Sequence, residues 1–240
     1  MSLPPPLLVL SPGTLHRGRP GDAASAALAG FPALAREALA AGARGILLRE
    51  PSLEDGAFLE LALELRALLD SSSAGGWLGV HDRLHLAAAS RADGVQLAGV
   101  SLTPLEARRV VGEEVTIGVS THEGDTEERW AGADLALHAP VFPPRSKSVE
   151  AQPLGPEGLR AFCATCPLPV WALGGVDAER VRELSGTGAA GAAAIGAVWG
   201  VQPGTRGAAG GTASPGVDER VRALVASAAA AFGSDEGVPG

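Results

Sequence analysis

Residues 94 to 111 read GVQLAGVSLTPLEARRVV and combine two kinds of local signal. The first is a short apolar run, Gly94–Leu97, without the strict alternation of a half-exposed strand, which is typical of a parallel strand buried on both faces. The second is a helix start, with Thr103 as a candidate N-cap, Pro104 in the first turn and Glu106 at the capping-box position. The stretch therefore predicts a buried strand followed by a helix.

The same pairing of a short apolar run with an amphipathic stretch recurs along most of the chain. The first turn, at residues 11–14, lacks the glycine-rich pattern of an open dinucleotide-binding sheet, and 240 residues is close to the usual length of a barrel. We therefore predict an α/β fold, a single (β/α)₈ TIM barrel. The eight candidate strands are Leu7–Leu10, Gly45–Leu48, Trp77–Val80, Gly94–Leu97, Val115–Val119, Leu135–Leu137, Pro169–Leu173 and Gly191–Ile195.

Composition limits the classes of partner. With 19 Lys and Arg against 27 Asp and Glu, the formal net charge is −8, which disfavours nucleic acid as a partner. No apolar run approaches the roughly 18 residues that a membrane span needs, and residues 1–21 do not resemble a signal peptide, so we expect a cytoplasmic protein without a membrane partner. Cys163 and Cys166 are more typical of a helix end than of a zinc or redox site, because no second pair exists.

The domain organisation predicted from these patterns is simple. Residues 1–232 form one barrel domain, with no internal boundary. Residues 202–216 are rich in Gly, Ala, Ser, Thr and Pro and predict a flexible insertion before the last helix. Residues 233–240 predict a disordered tail.

Polar residues follow or interrupt several of the predicted strands. In a barrel of this class the carboxyl ends of the strands meet at one face, which is where the active site lies. Ionisable groups directly after a buried strand are therefore candidates for a site, and a polar residue inside a strand needs a hydrogen-bond partner. These candidates are Arg49 and Glu50 after the second strand, His81 and Asp82 after the third, Gln96 in the fourth, and Ser120 and His122 after the fifth.

The loops after the last three strands carry cations and glycines, residue types that are suited to binding an anion. Arg145 and Lys147 lie in a long loop after the sixth strand, and with Arg49 and Arg83 they would form a local group of cations. Gly174 and Gly175 follow the seventh strand and Gly196 follows the eighth. Glycines at these turns let backbone N–H groups approach a phosphate, so we predict a phosphate site there.

Taken in order, these landmarks resemble the thiamine-phosphate synthase/TenI family over roughly residues 6 to 200. The resemblance implies a (β/α)₈ barrel of thiamin biosynthesis. One branch of the family joins a pyrimidine diphosphate to a thiazole phosphate with Mg²⁺, and the TenI branch tautomerises a thiazole phosphate carboxylate. The landmarks are Arg49–Glu50, Asp82–Arg83, Ala92–Leu97, Gly118–His122, Gly132–Asp134, Pro140–Phe142, Lys147, Pro153–Gly155 and Ala172–Val176.

Departures from the synthase pattern favour the tautomerase branch. Leu47 and Pro51 replace a pyrimidine-binding amide and a diphosphate-binding cation, and Ser101 replaces the second Mg²⁺ ligand, which leaves Asp82 as the only matching carboxylate. Our leading hypothesis is a thiazole tautomerase without a cofactor, in which His122 shuttles the proton. Its substrate contacts would come from Arg49, Glu50, His81, Gln96, Ser120 and Lys147, and its phosphate contacts from Gly174, Gly175 and Gly196.

Two alternatives remain open at this point. The chain could be a synthase with Mg²⁺ at Asp82, or a barrel that binds the phosphorylated ligand without turnover. Both enzyme hypotheses have a small phosphorylated thiazole as substrate, and the binding hypothesis has a phosphorylated thiamin intermediate as ligand. The resemblance also allows a homodimer.

Overall fold

A computed structural model describes residues 1–19, 21–72, 75–143, 152–200 and 215–233. Within these ranges eight parallel strands close into a barrel in the order β1 to β8, each paired with its sequence neighbours and β8 with β1. The prediction of a (β/α)₈ barrel is thereby confirmed. The strands are β1 Leu7–Leu10, β2 Gly45–Leu48, β3 Trp77–His81, β4 Gly94–Leu97, β5 Thr116–Thr121, β6 Leu135–His138, β7 Val170–Leu173 and β8 Gly191–Ala194.

Helices follow the strands and cover the outside of the barrel. In the described residues they are α1 Ala23–Ala40, α2 Asp55–Asp70, α3 Leu84–Ser90, α4 Pro104–Val111, α5 Glu127–Trp130, α6 Gly155–Thr165, α7 Ala178–Glu183, α8 Gly196–Trp199 and α9 Val217–Phe232. The predicted capping box at the start of α4 is present: the Thr103 hydroxyl accepts from the Glu106 N–H, and the Glu106 carboxylate accepts from the Thr103 N–H. No described helix has both the length and the apolar character needed to cross a bilayer.

The strands bury apolar residues on both faces, which is why their sequences read as continuous runs rather than as alternating ones. One set of side chains packs between the strands and the helices, and a smaller set fills the inside of the barrel. The inner set includes Leu8, Leu10, Leu47, Trp77, Leu135, Leu137, Trp171 and Ala193.

The chain segment before β1 closes the barrel at the amino ends of the strands. The Ser2 carbonyl accepts from the Trp77 indole N–H at 3.0 Å and from the Thr116 hydroxyl at 2.7 Å, and the Pro5 carbonyl accepts from the Trp171 indole N–H at 2.9 Å. Both inward-pointing indoles thereby find a partner for their only donor. This closure leaves the opposite end, where the strands finish, as the end that can receive a ligand.

Several sequence predictions fall outside the described residues. They concern Lys147 and Arg145 in the loop after β6, residues 202–214 of the predicted insertion, and residues 234–240 of the predicted tail.

Candidate active site

Four strands, β2 to β5, place polar side chains on the inner side of the barrel near its carboxyl end. Side chains along a strand alternate between the two faces of the sheet. Leu47 and Trp77 belong to the inner cluster, so Arg49, two residues after Leu47, and His81, four residues after Trp77, lie on the same side. The two side chains also interact electrostatically, because the positive charge of Arg49 contributes to lowering the pKa of His81. The structure therefore brings these two predicted site residues together.

Gln96 and Ser120 form the second inward pair. The Gln96 side chain is buried, and its amide donates to the Ser120 hydroxyl at 3.1 Å. Gly118 on β5 is paired in register with Gln96, and a Cβ there would be 2.2 Å from the Gln96 amide oxygen. A side chain at this position would force the Gln96 amide out of the space that it now occupies. The expectation that Gln96 needs a hydrogen-bond partner is confirmed.

A hydrogen bond fixes the backbone of Arg49, and its guanidinium remains available to bind a ligand. Its N–H donates to the Ser11 hydroxyl at 2.8 Å, and the missing side chain of Gly13 makes room for the guanidinium, which would be 3.2 Å from a Cβ there. Within the described ranges no carboxylate pairs with this guanidinium. An inward-facing cation that forms no ion pair with the described residues is suited to binding an anionic ligand.

Glu50, the next residue, faces away from the ligand side and organises the loop after β1. Its side chain is 1% exposed, and its two oxygens accept from the N–H groups of Gly13 at 2.8 Å and Leu15 at 2.7 Å. Burial raises the pKa of this carboxyl, and hydrogen bonds from Ser11, Gly13 and Leu15 oppose the rise. In this structure Glu50 shapes the loop that lies against Arg49, and its predicted contact with substrate stays a prediction.

Arg83 does not join the expected group of cations at the site. Its guanidinium contacts the Asp55 carboxylate and the Leu53 carbonyl, and it lies 4.4 Å from the centre of the Phe58 ring. These contacts attach the loop after β3 to the start of α2. The physical reason is the backbone of Asp82, whose φ of +60° interrupts the strand geometry and turns the following residue outward.

Asp82 itself stands at the centre of a small polar cluster. One carboxylate oxygen, Oδ1, accepts from the Ala98 N–H at 3.0 Å and from the Ser101 hydroxyl, while the other, Oδ2, lies 3.4 Å from Nδ1 of His81. Burial lowers the pKa of His81, the charge of Asp82 opposes this, and Arg49 adds to it. In the described residues no group of three or more His, Cys, Asp or Glu side chains is placed to hold a metal ion.

His122 follows β5 and lies at the rim. Its side chain is 59% exposed, its N–H donates to the Asp125 carboxylate at 2.8 Å, and its Nδ1 is 3.9 Å from the same oxygen. Its charge also contributes to lowering the pKa of His138. The structure thus groups His122 with Asp125 and His138, on the β5–β6 side of the barrel, rather than with the inward pairs on β2 to β5.

His138 is a structural histidine that sequence analysis does not single out. It ends β6, is 1% exposed, stacks on the Phe162 ring with centroids 3.7 Å apart, and shares a 2.9 Å hydrogen bond between Nδ1 and the Thr121 hydroxyl. Burial lowers its pKa from 6.5 to about 4. Ala136, two residues earlier, packs in the outer core, so alternation alone places His138 outside the barrel.

This buried imidazole predicts a pH dependence of stability. Because the folded state disfavours the charged ring, the unfolded chain binds the proton more readily, and the free energy of unfolding should fall as pH drops from 6.5 to about 4. The contribution is at most about 3 kcal/mol. In the variant His138→Phe, which can still stack on Phe162, urea titrations across this window should show a shallower slope.

The matched control is His16→Phe, at an exposed histidine in the loop after β1, which should leave the slope unchanged. An unaltered slope in His138→Phe would assign the titration to other groups. Burial also lowers the pKa of His81, so part of the slope should persist in the variant.

The glycines after β7 accommodate the chain segment that follows β6. Gly174 and Gly175 have φ of +98° and +63°, and a Cβ on Gly175 would be 2.5 Å from the Pro143 carbonyl oxygen. The Phe142 N–H donates to the Gly174 carbonyl at 3.0 Å, and Arg180 donates to the Gly175 carbonyl at 2.7 Å. Gly196 is the first residue of α8. Phosphate binding by these three glycines stays a prediction.

A closed parallel barrel with a cation and hydrogen-bonding groups at the carboxyl ends of its strands belongs to the class of (β/α)₈ barrels with a site at that face. The chain belongs to the thiamine monophosphate synthase family, TMP-TENI, whose model matches residues 22–198.

Individual relatives agree with this assignment. A thiamine-phosphate synthase of Moorella thermoacetica is 37% identical over 170 residues, which cover 70% of this chain and 80% of the relative. One from Pyrococcus horikoshii is 36% identical over 169 residues, with the same coverages. Among solved structures, a thiamine phosphate pyrophosphorylase from Pyrococcus furiosus superposes with a TM-score of 0.70 at 27% identity, covering 92% of this chain and 94% of its own. These similarities favour the transferase alternative over the tautomerase that the departures at Leu47, Pro51 and Ser101 favour.

Proposed function

We propose that the chain is a transferase of thiamin biosynthesis that joins a pyrimidine diphosphate to a thiazole phosphate. The observation that carries the proposal is the inward Arg49, without a counter-charge in the described residues, in a chain similar to thiamine-phosphate synthases over 70% of its length. In such a reaction the bond between the pyrimidine unit and the diphosphate breaks, the diphosphate leaves with the electron pair, and a new bond forms to the thiazole. A fixed cation at the leaving group stabilises the charge that develops there.

The remaining inward groups suit orientation of the two substrates. Ser120 accepts from the Gln96 amide, so its hydroxyl proton is free to donate to a ligand, while the buried amide fixes its position. The charges of both Asp82 and Arg49 act on His81, and burial lowers its pKa, which favours a neutral ring able to accept a proton. Glu50 acts indirectly by holding the loop after β1 beside Arg49.

Whether Mg²⁺ fits this site depends on the carboxylate oxygens that Asp82 has available. Its Oδ1 already accepts two hydrogen bonds, but Oδ2 has only the His81 ring nitrogen near it in the described part of the chain, at 3.4 Å, and the side chain is 35% exposed. Mg²⁺ usually binds through one or two carboxylates together with substrate phosphates, so one open oxygen suffices when a diphosphate supplies the others. Bound there, the ion would neutralise diphosphate charge.

The test is release of inorganic diphosphate by the purified protein given both substrates, with and without Mg²⁺. We expect release that requires both substrates and the ion, with the coupled product formed in equal amount. Binding of either substrate without any release would instead support a non-catalytic barrel. Release that continues unchanged without added cation and with a chelator would contradict the role of the ion.

A second candidate function, thiazole tautomerisation, is favoured by one observation. Ser101 stands where a synthase has its second carboxylate, and its hydroxyl contacts Asp82 instead of a cation. In this case the exposed His122 would move the proton and no cofactor would be needed. Conversion of the thiazole phosphate carboxylate tautomer to its aromatic form, lost in His122→Ala, would establish this function; an unchanged rate in that variant would remove His122 from it.

A further inference from the structure

The Asp82 centre differs chemically from a site that holds a divalent ion by itself. A self-sufficient Mg²⁺ site needs several hard oxygen ligands that carry negative charge. Here one carboxylate oxygen is filled by two donors, the Ala98 N–H and the Ser101 hydroxyl. Ser101 uses its proton for Asp82, and its own oxygen also accepts from the Ala98 N–H at 2.9 Å. The centre therefore offers a cation one oxygen with one negative charge.

In the described part of the chain, no other carboxylate can complete the set of oxygen ligands that a divalent cation at Asp82 would need. Glu50, after the end of β2, commits both oxygens to the loop of Gly13 and Leu15. His81 is oriented toward Asp82 through Nδ1, and Arg49 places a positive charge near the same ring, which opposes a divalent ion. The electrostatics thus favour a ligand that arrives with negative charge of its own.

From this arrangement we infer that the free protein does not retain a divalent cation, and that the ion binds only as its complex with a diphosphate group. The inference rests on the proposed function for the identity of the diphosphate. In the complex, Asp82 Oδ2 contacts the ion, and Arg49 contacts the diphosphate oxygens. Ser101 is the residue that sets this dependence, because its hydroxyl contributes no negative charge where a second carboxylate would give the ion a further ligand.

Substitution of Ser101 tests the inference without any turnover. Mn²⁺ serves as the probe, and the free ion is measured by electron paramagnetic resonance in the absence of substrates. We expect no binding to the wild type below millimolar Mn²⁺, and binding on the order of tenfold tighter or more in Ser101→Asp, which supplies a second carboxylate. Ser101→Ala, the matched control, removes the hydroxyl without adding charge and should bind no better than the wild type.

Thermal unfolding keeps the test valid if Ser101→Asp is less stable. The new carboxylate lies against Asp82, so this variant should melt at a lower temperature without metal and recover with Mn²⁺, whereas the wild type should not respond to Mn²⁺ alone. In a second arm inorganic diphosphate is titrated into the wild type with and without Mn²⁺. We expect binding that Mn²⁺ strengthens by about tenfold or more, and loss of that gain in Asp82→Asn.

The outcomes separate this inference from the proposed function. Submillimolar binding of Mn²⁺ alone by the wild type, or a Mn²⁺ gain that survives in Asp82→Asn, would overturn the inference whatever the activity. Mn²⁺-dependent diphosphate binding at Asp82 in a protein that never couples the two substrates would sustain the inference and overturn the proposed transferase.

Discussion

Arg49→Ala is expected to lower kcat/KM for diphosphate release on the order of 100-fold, which corresponds to about 2.7 kcal/mol. The guanidinium lies on the inner side of the barrel, without a counter-charge in the described residues, so a bound anion would be its main partner. Removal of a buried, charge-assisted contact typically costs about 2 to 5 kcal/mol. Steady-state kinetics of diphosphate release, together with the affinity for inorganic diphosphate, measure the effect.

Two further variants separate charge from geometry and from general damage. Arg49→Lys keeps the charge but loses the planar fork of donors, so we expect an intermediate rate. Arg36→Ala, at an exposed arginine on the outside of α1, is the matched control and should leave both rate and affinity unchanged. If Arg49→Ala keeps at least half of the wild-type kcat/KM and diphosphate affinity, the anion does not bind at Arg49 and the proposed site is misplaced.

The barrel could be predicted from the sequence because its strands are buried on both faces. Runs such as Leu7–Leu10 and Gly45–Leu48 are apolar throughout, and the actual strands match them. The capping box at Thr103 is predictable for a similar reason, because capping depends on residues within one turn. Strand burial and local helix capping thus account for most of what could be predicted about the fold.

The site was only partly predictable, because neighbouring residues in a strand face opposite ways. Arg49 and Glu50 are adjacent in sequence, yet one lies on the inner side and the other holds the loop of Gly13 and Leu15. Strand alternation, applied from Leu47, distinguishes them. It fails for Arg83, since the left-handed backbone of Asp82 breaks the alternation just before it.

The similarity to thiamine-phosphate synthases also changes how individual departures from the synthase pattern are interpreted. Pro51 and Ser101 stand where the synthase pattern carries ligand side chains, and taken alone they favour a tautomerase. The structure shows what Ser101 does instead: its hydroxyl contacts Asp82. A substitution at a ligand position can therefore change how a cation is acquired without changing the reaction, and only measurements of metal binding and of turnover together distinguish these effects.

Gly175→Ala is expected to be the most destabilising single substitution near the site. Its φ of +63° disfavours any side chain, and the new Cβ would be 2.5 Å from the Pro143 carbonyl oxygen and 2.8 Å from that of Phe142. Both obstacles are backbone atoms, so the clash cannot be relieved by rotation of a side chain. We expect a loss of about 3 kcal/mol or more in the free energy of unfolding, measured by urea titration.

Gly186→Ala isolates the steric part of that effect. Gly186 has a similar φ of +72°, but no described atom lies within 4 Å of the position that a Cβ would take, so its substitution should cost only about 1 kcal/mol. The difference between the two variants then reports the contact between the turn after β7 and the segment after β6. Equal losses in the two variants would mean that this contact is loose in solution. In that case the segment after β6 would not be held over β7, and a phosphate site built on Gly174 and Gly175 would lack its fixed backbone.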